Sequence, residues 1–167
     1  MVGGAVMLVL GIDPGTALTG YGLVRGEKGS RLVAVDFGCI RTEAGWVLTR
    51  RLQTIYRAVA AVLAKFKPDA VAVEELFFNK NAESAMSVGY GRGMALLAVA
   101  DAGCPVFEYA PATVKRAVTG NGRATKEQVQ YMVQQLLGLE APPAPDDVAD
   151  ALAVAICHLH TALGRKV

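Results

Sequence analysis

Three apolar stretches of this sequence carry acidic residues where a core would reject them. Residues 6–12 run directly into Asp13, and residues 70–73 run directly into Glu74 and Glu75. Residues 148–157 are almost wholly apolar, yet they contain Asp150, with Asp146 and Asp147 at their start. No Lys or Arg lies beside any of the three along the chain. Ionised carboxylates are seldom buried unless they are paired or bound to metal. The chain is therefore expected to gather an acidic cluster at the edge of a core, and that cluster needs cations.

The 167 residues are expected to form one domain over 1–167, with 1–6 as a short N-terminal extension. A hydrophobic fraction of 53% with 19% charged residues excludes a disordered chain. The net charge of +2 is too mild to argue for nucleic acid by itself. With several acids sequestered at a metal site, however, the remaining surface is more basic than the total suggests. Cys39, Cys104 and Cys157 are odd in number and contain no CxxC, which points to a reduced, cytoplasmic compartment. His158 and His160 lie close to Cys157, but no second half of a zinc site accompanies them, so structural roles are expected. The start of the chain lacks the basic residues of a signal peptide, and no apolar run approaches the ~20 residues of a membrane span.

Short apolar runs ended by turn residues predict strands at 6–12, 19–24, 31–40, 70–75 and 105–109. Helical periodicity covers 47–66, where Leu48, Leu52, Ile55, Val59, Val62, Leu63 and Phe66 form one stripe. Further helices are predicted at 82–102, 112–118, 125–137 and 147–163, with Thr125 as an N-cap. This order fits an α/β fold: a five-stranded mixed sheet, antiparallel then parallel, with helices on both faces.

Strand alternation lets only one of Glu74 and Glu75 face a given site, and does not say which. Asp146 suits an N-cap, and Asp147 suits the positive end of a helix dipole. Asp150 has no such role. It lies one turn into a helix that is apolar nearly all round, and it shares a face with Asp146 and with Asp147. One acid from the first strand, one from the fourth and two from the last helix are expected to converge. Carboxylate oxygens with few competing His or Cys ligands suit Mg²⁺ or Mn²⁺. Two such ions about 4 Å apart serve phosphoryl transfer, and four carboxylates balance their charge.

Other segments bear on a partner. Phe77 and Phe78 follow the fourth strand and suit stacking on unpaired bases, with one of them expected in the core. Lys115, Arg116, Arg123 and Lys126 form a loose basic set suited to phosphates. Gly89, Gly91 and Gly93 lie inside a helical pattern rather than after a strand. They are expected to serve close packing, within the fold or across a dimer, rather than nucleotide binding.

Several motifs together resemble one family. They are Gly11-Ile12-Asp13-Pro14-Gly15, Thr19-Gly20-Tyr21-Gly22, Gly38-Cys39-Ile40-Arg41-Thr42, and Val73-Glu74 with Phe77. Asn79-Lys80-Asn81-Ala82, Pro105-Val106-Phe107-Glu108-Tyr109 and Asp147-Val148-Ala149-Asp150-Ala151-Leu152-Ala153 complete the set. The sequence resembles the RuvC family of Holliday junction resolvases over nearly its whole length. The resemblance implies an RNase H-like fold, a homodimer, and Mg²⁺-dependent cleavage of four-way DNA junctions, with two ions per subunit and Mn²⁺ as a substitute. It implies Asp13, Glu74, Asp147 and Asp150 as catalytic metal ligands, leaving Asp146 and Glu75 as neighbours. It implies DNA contacts at Phe77, Lys115 and Lys126, beside which Lys80 and Arg123 are also expected to touch DNA, and a branch-migration helicase complex of the RuvA and RuvB type as partner. Two other enzyme classes share parts of this pattern. One is an RNase H-like nuclease acting on RNA–DNA hybrids or transposon ends. The other is the actin-like ATPases, whose fold needs a second domain for which this length has no room.

Overall fold

The computed structural model describes residues 6–76 and 82–164. Phe77 and Lys80 lie outside the described residues. Strands β1 (Met7–Asp13), β2 (Leu18–Gly26) and β3 (Val33–Arg41) form an antiparallel meander. Helix α1 (Leu48–Phe66) leads to β4 (Ala70–Glu74), which pairs parallel with β1. Helix α2 (Ala82–Asp101) leads to β5 (Val106–Tyr109), which pairs parallel with β4. Helices α3 (Pro111–Thr119), α4 (Lys126–Leu137) and α5 (Asp146–Ala162) follow. The sheet order is β3-β2-β1-β4-β5, the five-stranded mixed sheet of an RNase H-like fold.

The two faces of the sheet carry separate cores, as strand alternation requires. On one face, Leu10, Ile12, Leu23, Val71 and Val73 pack with Ile55, Val59 and Leu63 of α1 and Ala95, Ala98 and Val99 of α2. On the other, Val9, Val24 and Ala72 pack with α5 and with Val114, Val118, Val129 and Val133 of α3 and α4. The α1 stripe buries Ile55, Val59 and Leu63 as predicted, whereas Leu48 at its start is exposed. The predicted cap of α4 is present as a capping box: the Thr125 hydroxyl accepts from the Gln128 amide, and the Gln128 side chain accepts from the Thr125 amide.

Helix α5 is the centre of the second core. All residues from Ala151 to His160 are buried, as a helix apolar on every side requires. It approaches the sheet unusually closely because β1 and β2 present glycines to it. A Cβ on Gly11 would stand 1.8 Å from the Ala151 carbonyl oxygen. A Cβ on Gly20 would stand 2.1 Å from the Asp147 carbonyl oxygen, and one on Gly22 would meet the Leu152 side chain at 2.5 Å. Gly11 pairs with Gly22, and Asp13 pairs with Gly20, so the glycines and Asp13 share one face. Among the described residues, no helix is long and apolar enough to cross a membrane.

Candidate active site

The acids lie within reach of one another's charge, where β1 and β4 end beside the first turns of α5. The parallel register pairs Ile12 with Val73, so Asp13 and Glu74 are the next residues on adjacent strands. Alternation places Glu74 on the face of Ala72, toward α5, and Glu75 follows after β4 has ended. Glu74 is half-buried and Glu75 is exposed. The choice that alternation alone left open falls on Glu74. Gly20 lets the start of α5 descend onto β2 at Asp147, beside the strand pair that ends in Asp13.

Electrostatics show which acids share the site. Burial above all, then the charges of Asp150, Asp147 and Glu74, pushes the Asp13 carboxyl from 3.8 up to about 7. Burial, then Asp150, raises Glu74. Burial also raises Asp150, with Asp147 and Asp146 adding to the effect and Lys126 and Lys115 opposing it. Asp146 acts on Asp150 but is not among the charges that shift Asp13. Nor is it the helix cap. α5 begins at Asp146, the capping position belongs to Pro145, and no side chain caps the helix. Asp146 is therefore an exposed first-turn residue, where a carboxylate favours the helix dipole.

The absence of basic neighbours, expected from the sequence, does not hold in space. Lys115 from α3 and Lys126 from α4 line a cavity of about 210 Å³ with Glu74, Asp150, Pro111, Val114, Val129 and Ala153. Lys126 lowers the carboxyls of Asp13, Glu74 and Asp150, and Lys115 those of Glu74 and Asp150. The burial and mutual repulsion of the acids still outweigh the two lysines, because all three carboxyls remain raised. Arg123 is exposed in the turn between α3 and α4, where its amide donates to the Asn121 side-chain oxygen at 2.9 Å. It does not line that cavity.

Among the described residues, no three Asp, Glu, His or Cys side chains stand together closely enough to hold a metal ion as they are. The donor set fits one in its chemistry: half-buried carboxylates crowded by like charge, which a hard divalent cation would relieve. The histidines near Cys157 are structural, as expected. His158 Nδ1 pairs with the Tyr109 hydroxyl at 2.7 Å, and His160 Nδ1 with the Ala117 carbonyl at 2.8 Å. Burial holds the His158 ring below its usual range, so it is neutral in the core. A second cavity of about 700 Å³ opens at the other end of the sheet, around Pro68, Asp69 and Pro105, away from the acids.

Sequence reasoning missed one arrangement next to the acids. Arg92 of α2 is buried, and its guanidinium donates to the Glu74 carbonyl oxygen at 2.6 Å and to Glu108 Oε2 at 2.7 Å. The signal was present as a lone arginine in a run of small and apolar residues. Gly91 beside it performs the close packing expected of that run, since a Cβ there would stand 2.7 Å from the Gly15 carbonyl carbon. Gly89 and Gly93 instead face open space.

Known proteins place this architecture. The family model described as crossover junction endodeoxyribonuclease RuvC matches residues 9–158. The crossover junction endodeoxyribonuclease RuvC of Moorella thermoacetica is 58% identical over 96% of this chain and 95% of its own. That of Pelotomaculum thermopropionicum is 55% identical over 92% and 93%. The solved structure of T. thermophilus RuvC in complex with a Holliday junction substrate superposes with a TM-score of 0.88 at 40% identity, covering 95% of this chain and 97% of that one. The yeast mitochondrial Holliday junction resolvase, 15% identical with a TM-score of 0.66 over 93% and 81% of the two chains, shares the fold. A family match over nearly every described element, with relatives more than half identical over more than nine tenths of their length, leads to one assignment: this chain belongs to the RuvC family of crossover junction endodeoxyribonucleases.

Proposed function

We propose that the enzyme resolves four-way DNA junctions by hydrolysing phosphodiesters at the acidic site, leaving 5′-phosphate and 3′-hydroxyl ends that a ligase can seal. The observation that carries this is the crowding of acids between the ends of β1 and β4 and the start of α5: burial, then the charges of Asp150, Asp147 and Glu74, push Asp13 up to about 7. These four residues would hold two divalent ions, Mg²⁺ in the cell with Mn²⁺ as a substitute. When bound, such ions supply Lewis acidity for activating water and for stabilising the leaving 3′-oxygen. The protein's own part is to position. Gly20 and Gly11 seat α5 so that Asp147 and Asp150 reach the strand acids. Lys115 and Lys126 flank the acids as sites for phosphate oxygens. Phe77, Lys80 and Arg123 extend the DNA surface, with Phe77 stacking on a base at the junction centre.

The whole chain acts as one nuclease domain in the cytoplasm. The enzyme works as a homodimer, because paired cuts across a two-fold substrate require two identical sites. Met86, Tyr90 and Leu97 of α2 are exposed on a heptad-like spacing, with open Gly93 between them, and this stripe suits a second copy. A branch-migration helicase complex of the RuvA and RuvB type delivers the junction.

The test is nicking of a synthetic four-way junction with Mg²⁺, set against linear duplex of the same sequence. Selective cutting of the junction, abolished by Asp13→Asn, supports the reading. Equal cutting of both substrates, or cutting that survives Asp13→Asn, contradicts it.

A further inference from the structure

We propose that Arg92 is a positioning residue for the metal site, holding the end of β4 so that Glu74 meets Asp13 and Asp150. The inference rests on the assignment of Glu74 as a metal ligand. Glu74 is the last residue of β4, so its backbone is where the strand would otherwise fray. Its carbonyl accepts from Arg92 Nη1 at 2.6 Å, while the following amide, of Glu75, donates to the Tyr109 carbonyl at 2.9 Å. The other arm of the guanidinium pairs with Glu108 Oε2 at 2.7 Å, and Glu108 lies opposite Val73 on β5. One planar fork therefore ties two adjacent strand ends to α2, a geometry that suits Arg and not Lys.

The direction of the grip matters. Val73 and its partner Glu108 face α2, and the Glu74 side chain faces α5. Arg92 thus holds the backbone from one face of the sheet while the carboxylate works on the other. The same helix also holds the turn that follows Asp13. The Thr16 hydroxyl donates to the Ser87 carbonyl, and Gly91 packs directly on the Gly15 backbone. The inner face of α2 braces both strand-borne acids, and Arg92 is its charged contact.

A buried guanidinium needs its partners, and Glu108, at 50% side-chain exposure, is a weak reason by itself to bury one. If the role were only structural, losing Arg92 would lower the melting temperature and leave the response to metal unchanged. Positioning predicts a different signature. Arg92→Met should raise the Mg²⁺ concentration for half-maximal junction cleavage and weaken Mn²⁺ binding, followed by calorimetry without turnover, each by about 10-fold, as supporting-shell changes do. Junction affinity without divalent ions should stay within about twofold, since Arg92 is not placed on the DNA. Arg92→Lys keeps the buried charge and serves if the Met variant does not fold. It should show the same shift in metal response, because one ammonium does not span both acceptors. Wild-type Mn²⁺ affinity and Mg²⁺ response in whichever variant folds would overturn the proposal. Glu74→Gln separates the two readings. If it still cleaves, the metal-site assignment falls. If it is inactive while the Arg92 variants behave as wild type, only the positioning role falls.

Discussion

The two faces of the sheet differ in how closely their helices approach the strands. The α1 and α2 face is filled with large side chains, Leu10, Ile12, Leu23 and Ile55 among them, all essentially buried. The α5 face also buries large ones, Leu152, Ile156 and Leu159 among them, but where α5 crosses β1 and β2 the strands carry glycines. Gly11, Gly20 and Gly22 meet Ala151, Leu152 and the Asp147 backbone so closely that none has room for a Cβ. The first face gains from area buried, at roughly 25 cal/mol per Å² of apolar surface. The second gives up side-chain area to bring a helix backbone onto a sheet, and it is the face that gathers the acids. The acids thus lie on the side where glycines admit a helix backbone, while α2 holds the strand ends from the other.

That difference predicts what substitutions do, beginning with the largest effect. Gly20→Ala forces the Asp147 backbone away from β2, and a shift of this kind should cost about 100-fold in junction cleavage while junction binding persists. Cleavage within a few-fold of wild type would break the link between the glycine face and the site. Ile55→Ala on the other face should cost about 3 kcal/mol in denaturant unfolding and leave cleavage per folded molecule unchanged. A large loss of activity at constant folded fraction would show that the faces are not separable.

Asp13 itself should cost stability in the metal-free protein. Its native carboxyl titrates near 7 against 3.8 for an unperturbed group, so the native state binds the proton more tightly than the unfolded state. The contribution of Asp13 to stability is therefore fully present below 3.8 and is lost as pH rises through about 7. Without divalent ions, Asp13→Asn should be more stable than wild type above that window, by on the order of 2 kcal/mol, with the gap closing at acid pH. Thermal melts across pH check this, and a destabilised Asn variant at high pH would contradict it. The smallest effect belongs to Lys126→Met. It should weaken junction binding and reduce the slope of log affinity against log salt by about 1, as loss of one phosphate contact does.

Much of this was legible in the residues because it is local. Apolar period and turn residues located the five strands and five helices of the described residues, with ends displaced by two residues at most. The half-buried place of Asp150 in an otherwise buried helix followed from the apolar sequence around it. What was not legible depends on contacts between distant segments. Lys115 and Lys126 reach the acids from helices that the chain order does not orient. Asp146 reads as a cap, but Pro145 occupies that position and the helix begins one residue early. The grip of Arg92 on Glu74 joins α2 to the strand before it, and no periodicity encodes such a pair. Likewise Gly20 shows its purpose only once α5 lies across it.

Under the proposed function, four acids, and not their two acidic neighbours, make the cleavage site. This central claim is tested most directly by measuring Mg²⁺-dependent cleavage of a synthetic four-way junction by six single variants. Asp13→Asn, Glu74→Gln, Asp147→Asn and Asp150→Asn should each be inactive while still binding the junction, and Asp146→Asn and Glu75→Gln should cut as the wild type does. Retained cleavage in any of the four, or its loss with Asp146→Asn or Glu75→Gln, would contradict the account.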